Sequence, residues 1–183
     1  SSDLTVEDKL QIAKLLDNFG VDYIEGGQPG SNPKAIEFFK KAAELKLKNA
    51  RLVAFGSTCR AGKPAKSDKN LQAIVAADTP TVIIFGKTWD FHVKDALKIS
   101  LKDNLKIVED SIKFLKSHKK EVFFDAEHFF DGYKANPLYS LDVLKAAANA
   151  GVDMLVLCDT NGGSLPFEVE EIINKVKEEI STP

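Results

Sequence analysis

Val122-Phe123-Phe124-Asp125-Ala126-Glu127, residues 122–127, is the stretch on which the fold turns. It is apolar on both faces at its start and ends in carboxylates. Strands that are apolar on both faces suit a parallel sheet covered by helices. The two-residue period puts Asp125 and Glu127 on one face, and Phe124 and Ala126 on the other. Buried carboxylates without partners are costly, so the acidic face is expected to form a polar site.

The same unit recurs on either side. Upstream, Thr81–Gly86 is a β-branched strand, followed by a long helix of about Leu97–His118 with Leu101, Leu105, Val108, Ile112 and Leu115 on one face. Before it come a strand, Arg51–Gly56, a loop, Ala61–Ser67, and a helix, Leu71–Ala77. Val21–Glu25 reads as a strand broken by Gly26-Gly27 and Pro29-Gly30. Asn32 and Pro33 then open a helix that is expected to turn Ile36, Phe39 and Ala43 inward. The first helix starts at Thr5 with a capping box completed by Asp8. Its expected inner stripe is Val6, Leu10, Ala13, Leu16 and Phe19, and Gly20 ends it. Downstream, Leu138–Ala150 is a helix closed by Gly151, and Val152–Cys158 is a strand. Ser164 and Pro166 start a last helix facing inward through Val169, Ile172, Ile173, Val176 and Ile180. The order is a helix, then strand–helix five times over, at the spacing of βα units. Periodicity leaves two architectures open: a doubly wound open sheet, or part of a (βα)8 barrel, which takes roughly 250 residues.

Composition narrows the function classes. Hydrophobic residues make up 44% of the 183, and 25 basic against 27 acidic residues give a net charge of −2. That balance argues against a nucleic-acid binder and against a basic membrane-surface helix. The longest apolar runs, such as Val152–Cys158, fall far short of the ~20 residues of a membrane span. Ser1–Lys9 has no signal-peptide core. Cys59 and Cys158 are read as free thiols in a reducing cytosol, so a cytoplasmic protein is expected.

In both architectures chemistry belongs at the C-terminal ends of the strands. Those ends carry Glu25-Gly26-Gly27, Ser57-Thr58-Cys59-Arg60, Lys87-Thr88-Trp89-Asp90-Phe91-His92, Asp125-Ala126-Glu127-His128 and Cys158-Asp159-Thr160-Asn161-Gly162-Gly163. Each has a plainer reading. Glu25 would equally serve by accepting N–H groups of its glycine turn. His92 would equally fix a loop, and His128 would equally pack behind the strand. His118 and the lysine-rich stretches Lys40–Lys48 and Lys113–Lys120 read as solvated helix surface.

Taken together, Tyr23-Ile24-Glu25-Gly26-Gly27, Phe55-Gly56-Ser57-Thr58, Ile84–Val93, Asp125–Pro137 and Cys158–Gly163 resemble the acyltransferase barrel of the citramalate-synthase-like branch of the isopropylmalate and homocitrate synthase family. The resemblance selects the barrel. It implies a central piece of one catalytic domain across residues 1–183: about five parallel strands, without the first and the last two. It implies condensation of acetyl-CoA with pyruvate or a similar 2-oxo acid, aided by a divalent metal (Mg, Mn or Zn), in a homodimer or other homo-oligomer. On the matching positions, Glu25 lines the oxo-acid site and Glu127 does acid/base work or positions substrate. Thr160 binds the oxo-acid carboxylate, with His92 and Arg60 as further substrate-binding residues. The family's Asp-Thr-x-x-Arg-Asp-Gly motif and its His-x-His metal pair do not occur, so no metal ligand is assigned in this chain. Gln28 and Cys59 stand where the branch usually has Trp and Arg. Two rival readings stand beside this one. One is a Schiff-base aldolase using Lys87. The other is a non-catalytic barrel segment that associates with another polypeptide.

Overall fold

The apolar stretches pair side by side in chain order. A computed structural model describes residues 4–183. Its five strands are β1 (Tyr23–Glu25), β2 (Arg51–Ser57), β3 (Thr81–Lys87), β4 (Glu121–Glu127) and β5 (Met154–Leu157). They form one sheet in the order β1-β2-β3-β4-β5, and every neighbouring pair is parallel. The helices are α1 (Val6–Phe19), α2 (Pro33–Ala42), α3 (Lys69–Ala76), α4 (Asp90–His92), α5 (Leu101–Ser117), α6 (Phe129–Ala135), α7 (Pro137–Asn149) and α8 (Pro166–Glu179). This is a (βα) half-barrel. None of the described helices is long and apolar enough to cross a membrane.

The helix-facing side of the sheet holds the core. Ala54, Val82, Ile84, Val122, Phe124 and Ala126 are fully buried there, against Leu71, Ile74, Val108, Ile112, Leu115, Val143 and Leu144 from the helices. Burying a side chain of this kind contributes roughly 1.5–3 kcal/mol. Gly86 is required by this packing, because a Cβ at its position would lie 2.7 Å from the Phe124 ring.

Three of the helices expected from the sequence differ in detail. Helix α1 forms its Thr5–Asp8 capping box and ends at Gly20 in the left-handed region (φ 92°), but it buries Val6, Ala13 and Asp17. Phe19 is 84% exposed, so the expected stripe fails at its C-terminal end. The Asp17 carboxylate accepts the N–H groups of Lys48, Asn49 and Ala50, which fixes the rotation of that turn. These bonds also hold its pKa below the ordinary aspartate value. In α2 the buried residues are Ala35, Phe38, Phe39 and Ala42, while Ile36 lies outside. Both phenyl rings seat against Gly26, leaving no space there for a Cβ. Helix α5 starts at Leu101, later than expected. A π-turn over Val93–Leu97 ends at left-handed Lys98 (φ 56°), and Ser100 caps the helix anew through the Asp103 N–H.

Candidate active site

The side chains that alternate away from the helices converge at the C-terminal ends of the strands. Phe85 pairs in register with Asp125, and Lys87 with Glu127. A cavity of about 480 Å³ opens there, lined by Phe55, Phe85, Asp125, Glu127, Cys158 and Thr160. Phe55 and Phe85 stack, with ring centroids 5.4 Å apart and planes 22° apart, giving the cavity an apolar wall. Lys87 Nζ lies 2.5 Å from Glu127 Oε2, in a partly buried ion pair. The Thr88 hydroxyl donates to the Glu127 carbonyl at 2.6 Å. Glu127 is therefore held from two directions.

Removal from water, and then the nearby charge of Glu25, push the Asp125 carboxyl up to about 6. Desolvation also raises Glu25. The charge of Glu25 thus opposes ionisation of Asp125. Burial, with Asp125 and Glu127 beside it, pushes the Cys158 thiol up to about 11, so it stays protonated and is no nucleophile at neutral pH.

Strand β4 stops because His128 turns into the left-handed region (φ 55°). Its backbone N–H donates to Thr160 Oγ1 at 2.9 Å, which places the Thr160 hydroxyl and leaves its own proton free to donate. The His128 ring faces Asp131 at 3.4 Å, and Asp131 also accepts from the Asn161 amide at 2.9 Å. His92 packs against Trp89, with centroids 4.8 Å apart, and against the edge of His128 at 4.6 Å. Its Nδ1 is buried without a partner. Desolvation first, then His128 and Lys87, lower its pKa, so it is neutral at pH 7.

Glu127 and Thr160 line one cavity; Glu25 and His92 are electrostatic neighbours of its carboxyl groups. Arg60 is not brought in. It lies exposed beyond β2 and is engaged through its backbone: its N–H donates to Asp68 at 3.0 Å and its carbonyl accepts from the Lys63 N–H at 3.1 Å. The Phe55–Phe85 wall is not among the expected site features, and Lys87, the nucleophile of the Schiff-base reading, is ion-paired to Glu127. The signal for both was the two-residue period: counting back from Glu127 across a parallel register reaches Lys87 and Phe85.

Helix α6 is not among the elements read from the sequence, and Gly132 lies inside it. Its lack of a Cβ lets α6 press on the β3 loop, where an added Cβ would lie 2.8 Å from the Thr88 carbonyl. Among the described residues, no group of three or more His, Cys, Asp or Glu side chains is placed to hold a metal ion.

Known proteins share both sequence and fold with this chain. It is 55% identical over 178 residues to (R)-citramalate synthase of Geobacter sulfurreducens, covering 97% of this chain and 34% of that protein. It is 31% identical to 2-isopropylmalate synthase of Dictyoglomus turgidum, again over 97% of this chain and 34% of the relative. The chain thus spans about a third of the length of the curated relatives it matches. Among solved structures, the HMG-CoA lyase of Bacillus subtilis superposes with a TM-score of 0.75 at 17% identity, over 97% of this chain and 59% of that one, a likeness of fold. A family profile described as HMGL-like matches residues 1–183, and the chain belongs to that family.

Proposed function

We propose that the full-length polypeptide carrying this segment joins the acetyl group of acetyl-CoA to the carbonyl carbon of pyruvate or a similar 2-oxo acid. One observation carries the reading: a single cavity on the strand-end rim combines held carboxyl groups, a placed hydroxyl and an apolar wall, in a chain 55% identical to an (R)-citramalate synthase. The reaction removes a proton from the acetyl methyl group. The resulting carbanion forms a C–C bond to the ketone carbon, the alkoxide takes up a proton, and water cleaves the thioester to release CoA.

The contacts support the following roles. Thr160, its oxygen already occupied by the His128 N–H, donates its proton to the oxo-acid carboxylate. The Phe55–Phe85 wall receives the apolar end of the oxo acid. Glu127, steadied by Lys87, performs acid/base work or positions the thioester. Neutral His92 supplies a hydrogen bond to substrate. The described residues do not make up a complete metal donor set, so no step here is routed through a metal. The segment by itself is accordingly expected to release no CoA. We place the reaction in the cytoplasm, in a homo-oligomer.

The test is thiol release by the full-length protein from acetyl-CoA with pyruvate and with bulkier 2-oxo acids, in the presence of added Mg²⁺, Mn²⁺ or Zn²⁺. Citramalate as product supports the reading. Inactivation by borohydride in the presence of pyruvate, with no CoA release, would replace it with Schiff-base chemistry at Lys87.

A further inference from the structure

The rim around the cavity is electrically uneven. The loop after β2, Cys59-Arg60-Ala61-Gly62-Lys63-Pro64-Ala65-Lys66-Ser67-Asp68-Lys69, carries Arg60, Lys63, Lys66 and Lys69 against one acid. That acid, Asp68, is 2% exposed, and its carboxylate accepts the N–H groups of Arg60, Asn70 and Leu71. The four cations are exposed, and among the described residues none forms an ion pair. Three other cations at this end of the molecule are paired, Lys87 with Glu127, Lys94 with Asp90 and Lys134 with Glu168, while the loop gathers four unpaired ones within ten residues. The loop is also built to keep its shape. Ala65 is buried, the Lys63 N–H donates to Arg60 O at 3.1 Å, and the Gln72 amide donates to Lys66 O at 3.0 Å. A groove of about 580 Å³ runs between Ala61–Pro64 and α5, with Ile99 and Ile107 in its wall. Two carboxylates of that groove are already engaged, Asp103 by the Ser100 hydroxyl and Asp110 by Lys106.

We infer that this loop binds the phosphate end of the acyl carrier, the 3′-phosphate and diphosphate of CoA. The inference rests on the acetyl-CoA reading above. That end of CoA brings roughly four negative charges, and the loop presents four cations on a fixed frame, which limits the ordering cost of binding. Arg60 contributes a planar fork suited to phosphate, and the lysines contribute point charges. The loop starts four residues after Phe55, which lines the cavity, so the uncharged pantetheine arm would run along the end of β2 between the phosphates and the reacting thioester. Arg60 then acts at the carrier's far end, which accounts for its position outside the cavity.

The test is a Lys63→Ala/Lys66→Ala/Lys69→Ala variant of the full-length protein, altered only at exposed positions. With acetyl-CoA its KM should rise by about tenfold or more, as expected for losing phosphate contacts. The increase should be steeper at low salt. Its kcat, its KM for pyruvate and its KM for acetyl-pantetheine, which lacks the phosphates, should stay within about twofold of the parent. An unchanged KM for acetyl-CoA, or an equal rise with both thioesters, overturns the inference. If the parent protein releases no CoA at all, the acetyl-CoA reading falls, and calorimetry with adenosine 3′,5′-diphosphate decides the loop. Binding that the triple variant loses, and that inorganic phosphate does not match, sustains a nucleotide-phosphate site. No binding, or equal competition by inorganic phosphate, removes it.

Discussion

On β4, neighbouring residues point into two different surroundings. Phe124 and Ala126 face the helices and are fully buried among apolar side chains. Asp125 and Glu127, one residue away on the same backbone, face the cavity, where one carboxyl is pushed up to about 6 and the other is gripped by Lys87. The difference teaches where stability and chemistry are kept. One side of the sheet is close-packed and tolerates little change. The other holds polar groups that cost stability but are positioned to meet a ligand.

The largest expected effect lies on the helix side. Phe124→Ala should destabilise the protein by about 3–5 kcal/mol, because it empties a fully enclosed site next to Gly86. Chemical denaturation checks this. A loss below ~1 kcal/mol would mean that the packed face does not carry the fold.

Asp125 sharpens the comparison from the other side. Its carboxyl titrates near 6 in the folded protein against 3.8 ordinarily, so the folded state binds the extra proton between those values. Stability should therefore fall as pH rises from about 4 through about 6, then level off. The cost of the ionised form is on the order of 2 kcal/mol once solvent access is allowed for. Asp125→Asn should flatten that part of the curve and leave the protein more stable at pH 7.5. Denaturation midpoints across pH 4–8 decide it, and an unchanged slope in the variant would assign the pH dependence elsewhere.

Thr160→Val should have the smallest effect. Deleting the hydroxyl, which also accepts the His128 N–H, should raise the KM for the 2-oxo acid by roughly tenfold and cost about 0.5–1.5 kcal/mol of stability. A change in kcat alone would place Thr160 on the reacting atoms instead.

Much of this division is readable in the sequence. The two-residue period separates Asp125 and Glu127 from Phe124 and Ala126, and the strand–helix alternation marks out five strands of a parallel sheet, whose order in the sheet follows the chain. What the period could not show was anything decided by one distant contact. Asp17 turns α1 through three N–H groups of the loop before β2, and so carries Phe19 outward. Helix α6 packs Gly132 against the β3 loop, a contact that no local pattern announces. Lys87 is set by parallel register beside Glu127, forty residues away, a pairing invisible in either strand alone. The choice of barrel over open sheet came from the resemblance of the strand-end motifs, because both architectures share one local pattern.

Glu127→Gln in the full-length protein tests the central claim most directly, with turnover and thermal midpoint measured on the same preparation. The substitution keeps the shape and removes the charge that pairs with Lys87. Turnover should fall by about 10²- to 10⁴-fold, while the thermal midpoint moves by no more than about 4 °C. Near-parental turnover, or an activity loss that only tracks loss of folded protein, would contradict the assignment of the cavity as the site of chemistry.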